Sequence, residues 1–297
     1  MPDEIKTSLS ELQEKHFHYM LTPSDDPDTE LEELQEYLSL FYDEHCKVEV
    51  EIPGNELRKA YNEKEIGFAP VPMPKKIVRK SYQEEAQTGD YAFKISVDGG
   101  EFQRLKIRFE RKEVGDFNGT ILNNWKRFYR ELKRAEVNKE IEDFRIVVEG
   151  DRLQALTFFM PYPKVCKYCM NVGYRVKNSK RTYYCRIDGK DKNYNSNCSR
   201  LVLKKRSQKQ IAQQIAFKRK RIGMIEAMGV PIEWCGSRGE AATHINVAVK
   251  QYFIVHYEEI LGLNKGVKLA GEDRETLTFE VSGIKFKVAK DAVEVLA

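Results

Sequence analysis

The sequence predicts an α/β layer architecture, a mixed sheet flanked by helices. Three observations carry that expectation. Residues 91–97 and 105–109 alternate apolar and polar side chains at the strand period, and Asp98-Gly99-Gly100 between them is hairpin-turn chemistry. Residues 144–148 and 230–235 are short apolar runs of the kind found in buried strands. Residues 119–137, 205–228 and 238–254 have the helical period. The order is therefore hairpin, helix, strand, insertion, helix, strand, helix. At 297 residues the chain predicts two structural units, or one large unit with an insertion.

The remaining elements follow in order. Residues 8–20 and 29–46 read as helices, the second with Leu31, Leu34, Leu38 and Phe41 on one stripe. The linker from Thr22 to Asp28, with Pro23 and Pro27, supplies cap residues. Val48, Val50 and Ile52 alternate as a short strand that Pro53-Gly54-Asn55 ends. Residues 69–74, Ala-Pro-Val-Pro-Met-Pro, read as a stiff extended connector. In the helix over 119–137, Trp125, Phe128, Tyr129 and Leu132 face inward. Residues 277–281 and 284–288, around Ser282-Gly283, read as a second hairpin. The expected organisation is an acidic helical leader over 1–46, a core over 47–163 and 205–255, an insertion over 164–204, and a small C-terminal β element over 256–297.

Composition narrows the class. Hydrophobic residues at 41% and aromatics at 11% are enough for a core and exclude a disordered chain. No apolar run approaches membrane-spanning length, which predicts no membrane partner. The N-terminus lacks the basic and apolar regions of a signal peptide. An intracellular, reducing compartment is expected, so the six cysteines read as thiols or metal ligands. The net charge of +4 hides an asymmetry: residues 1–45 hold 13 acidic and 2 basic side chains. An acidic leader on a basic body points to a polyanion partner, although an ordinary solvated surface carries charge too.

One constellation carries chemistry. Asp90 begins the first hairpin strand, and Glu110-Arg111-Lys112 ends the second, with Asp116 just beyond. Alternation puts Glu110 and Lys112 on one face and Arg111 on the other. Strand pairing can bring Asp90 beside Glu110. Carboxylate oxygens are the ligands Mg²⁺ or Mn²⁺ prefers. A metal so held activates water and stabilises charge on a phosphate, and a nearby lysine assists. The competing reading is a solvated charge run on a surface hairpin.

The longer pattern resembles the XPF-type nucleases, structure-specific DNA nucleases of the restriction-endonuclease-like superfamily. The resemblance rests on Gly89-Asp90, nineteen residues, Glu110-Arg111-Lys112, three residues, Asp116-Phe117. Ile146-Val147-Val148-Glu149-Gly150, Gly229-Val230-Pro231-Ile232 and Ser237-Arg238-Gly239-Glu240 are similar to later parts of that fold. It covers roughly residues 85–255 without the insertion. It implies a restriction-endonuclease-like mixed sheet. It implies Mg²⁺ (or Mn²⁺) binding by Asp90 and Glu110, a catalytic Lys112, a supporting carboxylate at Asp116, and a structural or phosphate-contacting Arg111. The family's Asp-x-Arg-Glu stretch is missing, and Glu49, Glu51 and Glu56 are loose candidates for the first acidic ligand. The resemblance also suggests dimers.

Cys166, Cys169, Cys185 and Cys198 follow the spacing C-x2-C-x15-C-x12-C. That predicts a zinc-ribbon insertion with one structural Zn²⁺, because four protein ligands leave no open position. From 164 to 206 the chain has 13 basic and 2 acidic residues with five interleaved tyrosines. Arg175, Lys177 and Arg181 are candidates for phosphates, and Tyr183 and Tyr184 for stacking on bases. The stretch Arg181-Thr182-Tyr183-Tyr184-Cys185 resembles the zinc ribbons of bacterial topoisomerases; a zinc-stapled, solvated loop is the alternative. His244 reads as a packed histidine, and Cys46 and Cys235 as buried thiols. The acidic leader is either a solvated helical pair, a shield over the basic surface, or a contact for a protein partner or second copy.

The function these readings favour is metal-dependent cleavage of DNA, at branched or single-stranded structures. Two rivals stand beside it: a non-catalytic zinc-ribbon DNA-binding protein on a degenerate nuclease scaffold, and a restriction-type duplex endonuclease.

Overall fold

Side-chain alternation builds the central sheet. A computed structural model describes residues 7–21, 26–52, 59–72, 88–159, 172–177, 180–186, 191–192, 206–263, 268–272, 276–281 and 284–289. The chain divides into two compact units. Unit one is Met1–Arg111, Arg130–Glu149 and Pro231–Ala297; unit two is Lys112–Tyr129 and Gly150–Val230.

Unit one begins with helices α1 (Leu9–Leu21) and α2 (Pro27–His45). Pro27 occupies the first turn of α2, and Asp26 caps it by accepting from the Thr29 N–H at 3.3 Å. Strand β1 (Cys46–Ile52) follows, then the short helix α3 (Glu63–Ile66) and strand β2 (Ala69–Pro72). Strands β3 (Tyr91–Val97) and β4 (Gln103–Glu113) form the central hairpin. The chain goes on through α4 (Val114–Asn123) and α5 (Trp125–Val137) to β5 (Asp143–Glu149). Beyond lie α6 (Arg152–Thr157), β6 (Val172–Lys177), β7 (Lys180–Cys185), β8 (Asp191–Lys192) and α7 (Gln208–Glu226). Strand β9 (Ile232–Cys235), α8 (Arg238–Leu261), β10 (Lys268–Glu272), β11 (Thr276–Val281) and β12 (Ile284–Ala289) complete the order.

The main sheet has the order β2-β1-β3-β4-β5-β9. β1 and β3 are antiparallel, as are β3 and β4, while β2 runs parallel to β1 and β9 parallel to β5. It is the mixed sheet, flanked by helices, that the sequence predicts. Its buried face carries Val50, Phe93, Ile107, Phe109 and Val147, against Leu12, Leu38 and Phe41 of the first two helices and Ala242, Ile245 and Phe253 of α8. Each fully buried large side chain contributes about 1.5–3 kcal/mol.

Four expectations change. The acidic leader is no solvated pair: α1 and α2 supply Leu12, Leu34, Leu38 and Phe41 to the core, because one apolar stripe suffices to bury an otherwise acidic helix. The Pro-rich stretch begins as strand β2, which as an edge strand tolerates prolines. The helix expected over 119–137 starts earlier, at Val114, and breaks at Asn124 into α4 and α5. The last core helix continues past 255 to Leu261, across non-helical φ/ψ at His256.

The C-terminal hairpin forms as expected and gains β10 as a third strand. In unit two, β6, β7 and β8 make a separate antiparallel sheet, while Phe117, Ile121, Ala155, Ile222 and Ile225 of α4, α6 and α7 are buried. No helix among the described residues is long and apolar enough to cross a membrane.

Candidate functional site

The hairpin register sets the centre of the site. Tyr91 pairs with Phe109 and Ala92 with Arg108, so the next pair outward is Asp90 with Glu110. Directly opposed residues share a face of an antiparallel ladder. The Asp90 N–H donates to the Phe109 carbonyl at 2.8 Å, and the Asp90 carboxylate accepts from the Arg111 N–H at 2.9 Å. Asp90 is therefore held by both ends of the ladder. Gly89 makes this possible: its φ is +87°, and a Cβ there would lie 3.1 Å from the Phe109 carbonyl oxygen and 3.3 Å from the Phe144 ring. Glu110 is 4% exposed, which fixes its orientation. Lys112 is two residues on along the same strand, at a position on the Glu110 face. Its ammonium lies 6.0 Å from the centroid of the Phe128 ring. Asp116, exposed, sits in the first turn of α4, where a carboxylate favours the helix dipole.

Arg111 turns to the other face. Its guanidinium makes two 2.8 Å hydrogen bonds to the Glu149 carboxylate, and both side chains are 8% exposed. The Tyr61 hydroxyl also donates to Glu149, at 2.7 Å. Two guanidinium groups lie near the Tyr61 ring, Arg111 at 5.4 Å and Arg238 at 4.7 Å from its centroid. Arg238 in turn binds Glu65 at 2.8 Å and the Ala60 carbonyl at 2.8 Å. Burial alone would lower the Arg111 pKa, but the Glu149 carboxylate carries it above the ordinary value. Burial, with Glu149 adding, pushes the Tyr61 phenol up. The Glu149 of the Glu-Gly strand end is thus the anchor of Arg111. Sequence reading missed this network because its members come from four separate stretches. The only signal was a Glu ending an apolar run.

The loose candidates for a first acidic ligand resolve differently. Glu51 is 1% exposed and neutralised by Lys94 at 2.8 Å and Arg104 at 2.6 Å. Burial raises its pKa, and those two cations bring the balance below the ordinary value. Glu49 stands opposite Lys94 in the β1–β3 register. Glu56 lies outside the described residues.

In the insertion, Cys166, Cys169 and Cys198 lie outside the described residues. Cys185 ends β7, half-buried. Tyr174 pairs with Tyr183, Arg175 with Thr182, Val176 with Arg181, and Lys177 with Lys180. By alternation the Tyr183 and Tyr184 positions are on opposite faces of this sheet. The Tyr184 ring covers Gly173, where a Cβ would come within 2.5 Å of it. Tyr174 is 59% exposed, and the sequence reading did not single it out among the stacking candidates.

Of the two thiols expected to be buried, Cys235 is buried and Cys46 is only half-buried. Burial pushes Cys46 up to about 12 and Cys235 up to about 11. His244 Nε2 sits 3.6 Å from the Glu233 carboxylate. A second carboxylate group, Glu142 and Glu259 with His256, keeps its ligand atoms within 4.8 Å. There Lys106 bridges both carboxylates, at 2.7 and 2.8 Å, and supplies the positive charge.

No protein-family profile matches the chain, and no curated protein matches it in sequence. Among solved structures it is similar to XPF from Aeropyrum pernix in complex with DNA. There the identity is 12% and the TM-score 0.34, over 72% of this chain and 66% of that one. It is also similar to XPF from Aeropyrum pernix, at 11% identity and TM-score 0.33, over 73% of this chain and 69% of that one.

Proposed function

We propose that the chain is a divalent-metal-dependent DNA endonuclease with a restriction-endonuclease-like core, acting at branched or single-stranded DNA. The observation that supports this reading is the β3–β4 register that sets Asp90 opposite Glu110. The donor set suits such an ion: two carboxylates at positions on one face, one of them 4% exposed, would supply the hard oxygen ligands it prefers. Asp90 and Glu110 would hold Mg²⁺ or Mn²⁺. Bound there, the ion would lower the pKa of a water and stabilise charge on the phosphate. Lys112 would offset developing negative charge on the same face. Asp116 would orient water or ion. Arg111, tied to Glu149, would keep the strand end rigid rather than contact the backbone of the DNA.

The insertion would hold one structural Zn²⁺ through Cys166, Cys169, Cys185 and Cys198. Arg175, Lys177 and Arg181 would take phosphates, and Tyr183 or Tyr184 a base. Their positions on opposite faces imply that only one of the two tyrosines stacks on a given strand.

The test is Glu110→Ala. Nicking of branched and single-stranded DNA should vanish, while DNA affinity in EDTA stays within about twofold of the parent. Full cleavage by the purified variant would remove the site assignment. A parent that binds DNA but does not cleave any DNA shape with Mg²⁺ or Mn²⁺ would leave the non-catalytic binder standing instead.

A further inference from the structure

Resting on that DNA reading, we infer that unit two carries a second nucleic-acid subsite: a pocket between α4 and α7 for one unpaired base, with adenine preferred. The pocket is an open, solvent-facing groove with a volume of about 460 Å³. Its walls are Leu122 and Asn123 at the end of α4, and Gln210, Gln213, Gln214 and Phe217 on α7, with Arg206 at the rim.

The α7 residues fall at i, i+3, i+4 and i+7, a single stripe. A stripe facing a neighbouring helix is normally apolar, because that is how helices bury surface. Here three of its four residues are amides. Gln210 and Gln213 are exposed and Gln214 is half-buried, so the stripe is not a packing surface and its amides are open to a ligand; Gln210 also takes part in the Ser207 capping box.

Phe217 is 41% exposed, yet it is not loose. The Arg221 guanidinium lies 4.4 Å from its ring and 4.6 Å from the Trp125 ring, and donates to the Ile121 carbonyl at 2.8 Å. Phe217 is the end of a fixed ring–guanidinium–ring stack. A base entering the pocket would extend that stack by one member. The carboxamides of Gln213 and Gln214 each offer a donor beside an acceptor, which matches N6 and N7 of adenine. Residues 206–221 carry six basic side chains and no acidic one, so the charge suits a polyanion.

The experiment measures binding of fluorescent dA15 and dT15 to the full chain in EDTA, across a salt series. The parent should favour dA15 about tenfold. Gln213→Leu with Gln214→Leu should erase that preference and leave dT15 affinity in place. Phe217→Ala should weaken both strands about tenfold, with the slope of log K against log salt unchanged, because no phosphate contact is lost. Phe217→Trp should restore binding, which keeps the test valid if the alanine variant folds poorly. The subsite is wrong if Phe217→Ala binds within twofold of the parent. It is equally wrong if the double glutamine variant keeps the dA15 preference, or if the parent binds neither strand. Cleavage by Glu110→Ala is scored separately, so the nuclease reading can fall without this one, and the reverse.

Discussion

The two units of the chain are opposites in charge. Unit one has 28 basic and 40 acidic residues, a net of −12; unit two has 22 basic and 6 acidic, a net of +16. A whole-chain charge of +4 conceals both. The chain also holds buried cations in two ways, and one example comes from each unit. Unit one pairs Arg111 with the Glu149 carboxylate, which holds the guanidinium charged. Unit two encloses Lys218 fully, and among the described residues its ammonium has no carboxylate partner: it donates to the carbonyls of Ala155 at 2.9 Å, Leu156 at 3.1 Å and Phe158 at 2.5 Å and lies 4.9 Å from the centroid of the Phe159 ring. These are carbonyls at the C-terminal end of α6, where a cation complements the helix dipole. The two solutions do not divide strictly by unit: in unit one Arg108, 3% exposed, also donates to carbonyls, those of Leu105 at 2.6 Å and Ile107 at 2.7 Å, and burial lowers its pKa to about 10. An acidic unit is suited to hold metal; a basic one is suited to hold a polyanion.

The largest effect should come from breaking that division of labour. Glu110→Ala removes a carboxylate from unit one and should abolish cleavage, while binding in EDTA persists through unit two. Loss of binding and cleavage together would mean that the two roles are not divided. A second break targets unit two. The insertion should hold one Zn²⁺ per chain, and Cys185→Ser should lose it, because metal binding in such a sheet is coupled to its folding. Elemental analysis of fresh protein finding no zinc would remove the ribbon. The insertion's tyrosines and arginines would then need another support.

The paired cation of unit one should give the next largest effect. Arg111→Met leaves buried Glu149 with only the more distant Arg238, at 3.6 Å, as a cation, and Glu149→Ala takes the carboxylate from Arg111. Each should cost about 3–5 kcal/mol in denaturant unfolding. The double variant should recover part of that loss, since neither charge is then stranded. Strictly additive losses would show that the pair contributes nothing as a pair.

Much of this was legible in the sequence, and the reasons for the rest are specific. The central hairpin was readable because Tyr91–Val97 alternates and Asp98-Gly99-Gly100 turns. Its register, once known, fixes Asp90 against Glu110. The start of α4 was not readable. Glu113 gives it no side-chain cap, and Gly115 and Gly119 depress helix propensity over its first turns. Strand β2 was hidden because Ala69-Pro70-Val71-Pro72 has the composition of an extended connector, and only its parallel partner β1 makes it a strand. The reach of α8 beyond 254 was masked by the kink at His256, where φ is −111°. The Arg111 network was out of reach for a different reason. Alternation says that Arg111 leaves the Glu110 face, but not that a carboxylate 38 residues later waits on the other side.

The smallest effect should come from the unpaired cation, and it has a sign that the paired one lacks. Burial is the main cause that lowers the Lys218 pKa from 10.5 to about 8, with the Arg206 charge adding to it. Below about pH 8 the lysine is protonated in both folded and unfolded chains, and its titration gives stability no pH dependence. Between about 8 and 10.5 the unfolded chain keeps its proton while the folded chain has lost it. The unfolded state then binds more protons, so stability rises with pH across that window. The gain should be on the order of 1–3 kcal/mol, since each pKa unit corresponds to roughly 1.4 kcal/mol. Lys218→Met removes the titration and leaves three carbonyls without a donor, so it should be less stable than the parent at every pH. The informative quantity is the gap between parent and variant in thermal melts at pH 7.5, 9 and 10.5, which cancels every other titrating group. A gap that widens with pH would mark Lys218 as a cation held by carbonyls and the Phe159 ring without a carboxylate. Parallel curves would mean that the ammonium is as well stabilised on its three carbonyls as Arg111 is on its carboxylate, and the contrast between the two units would then be one of charge and not of how a buried cation is held.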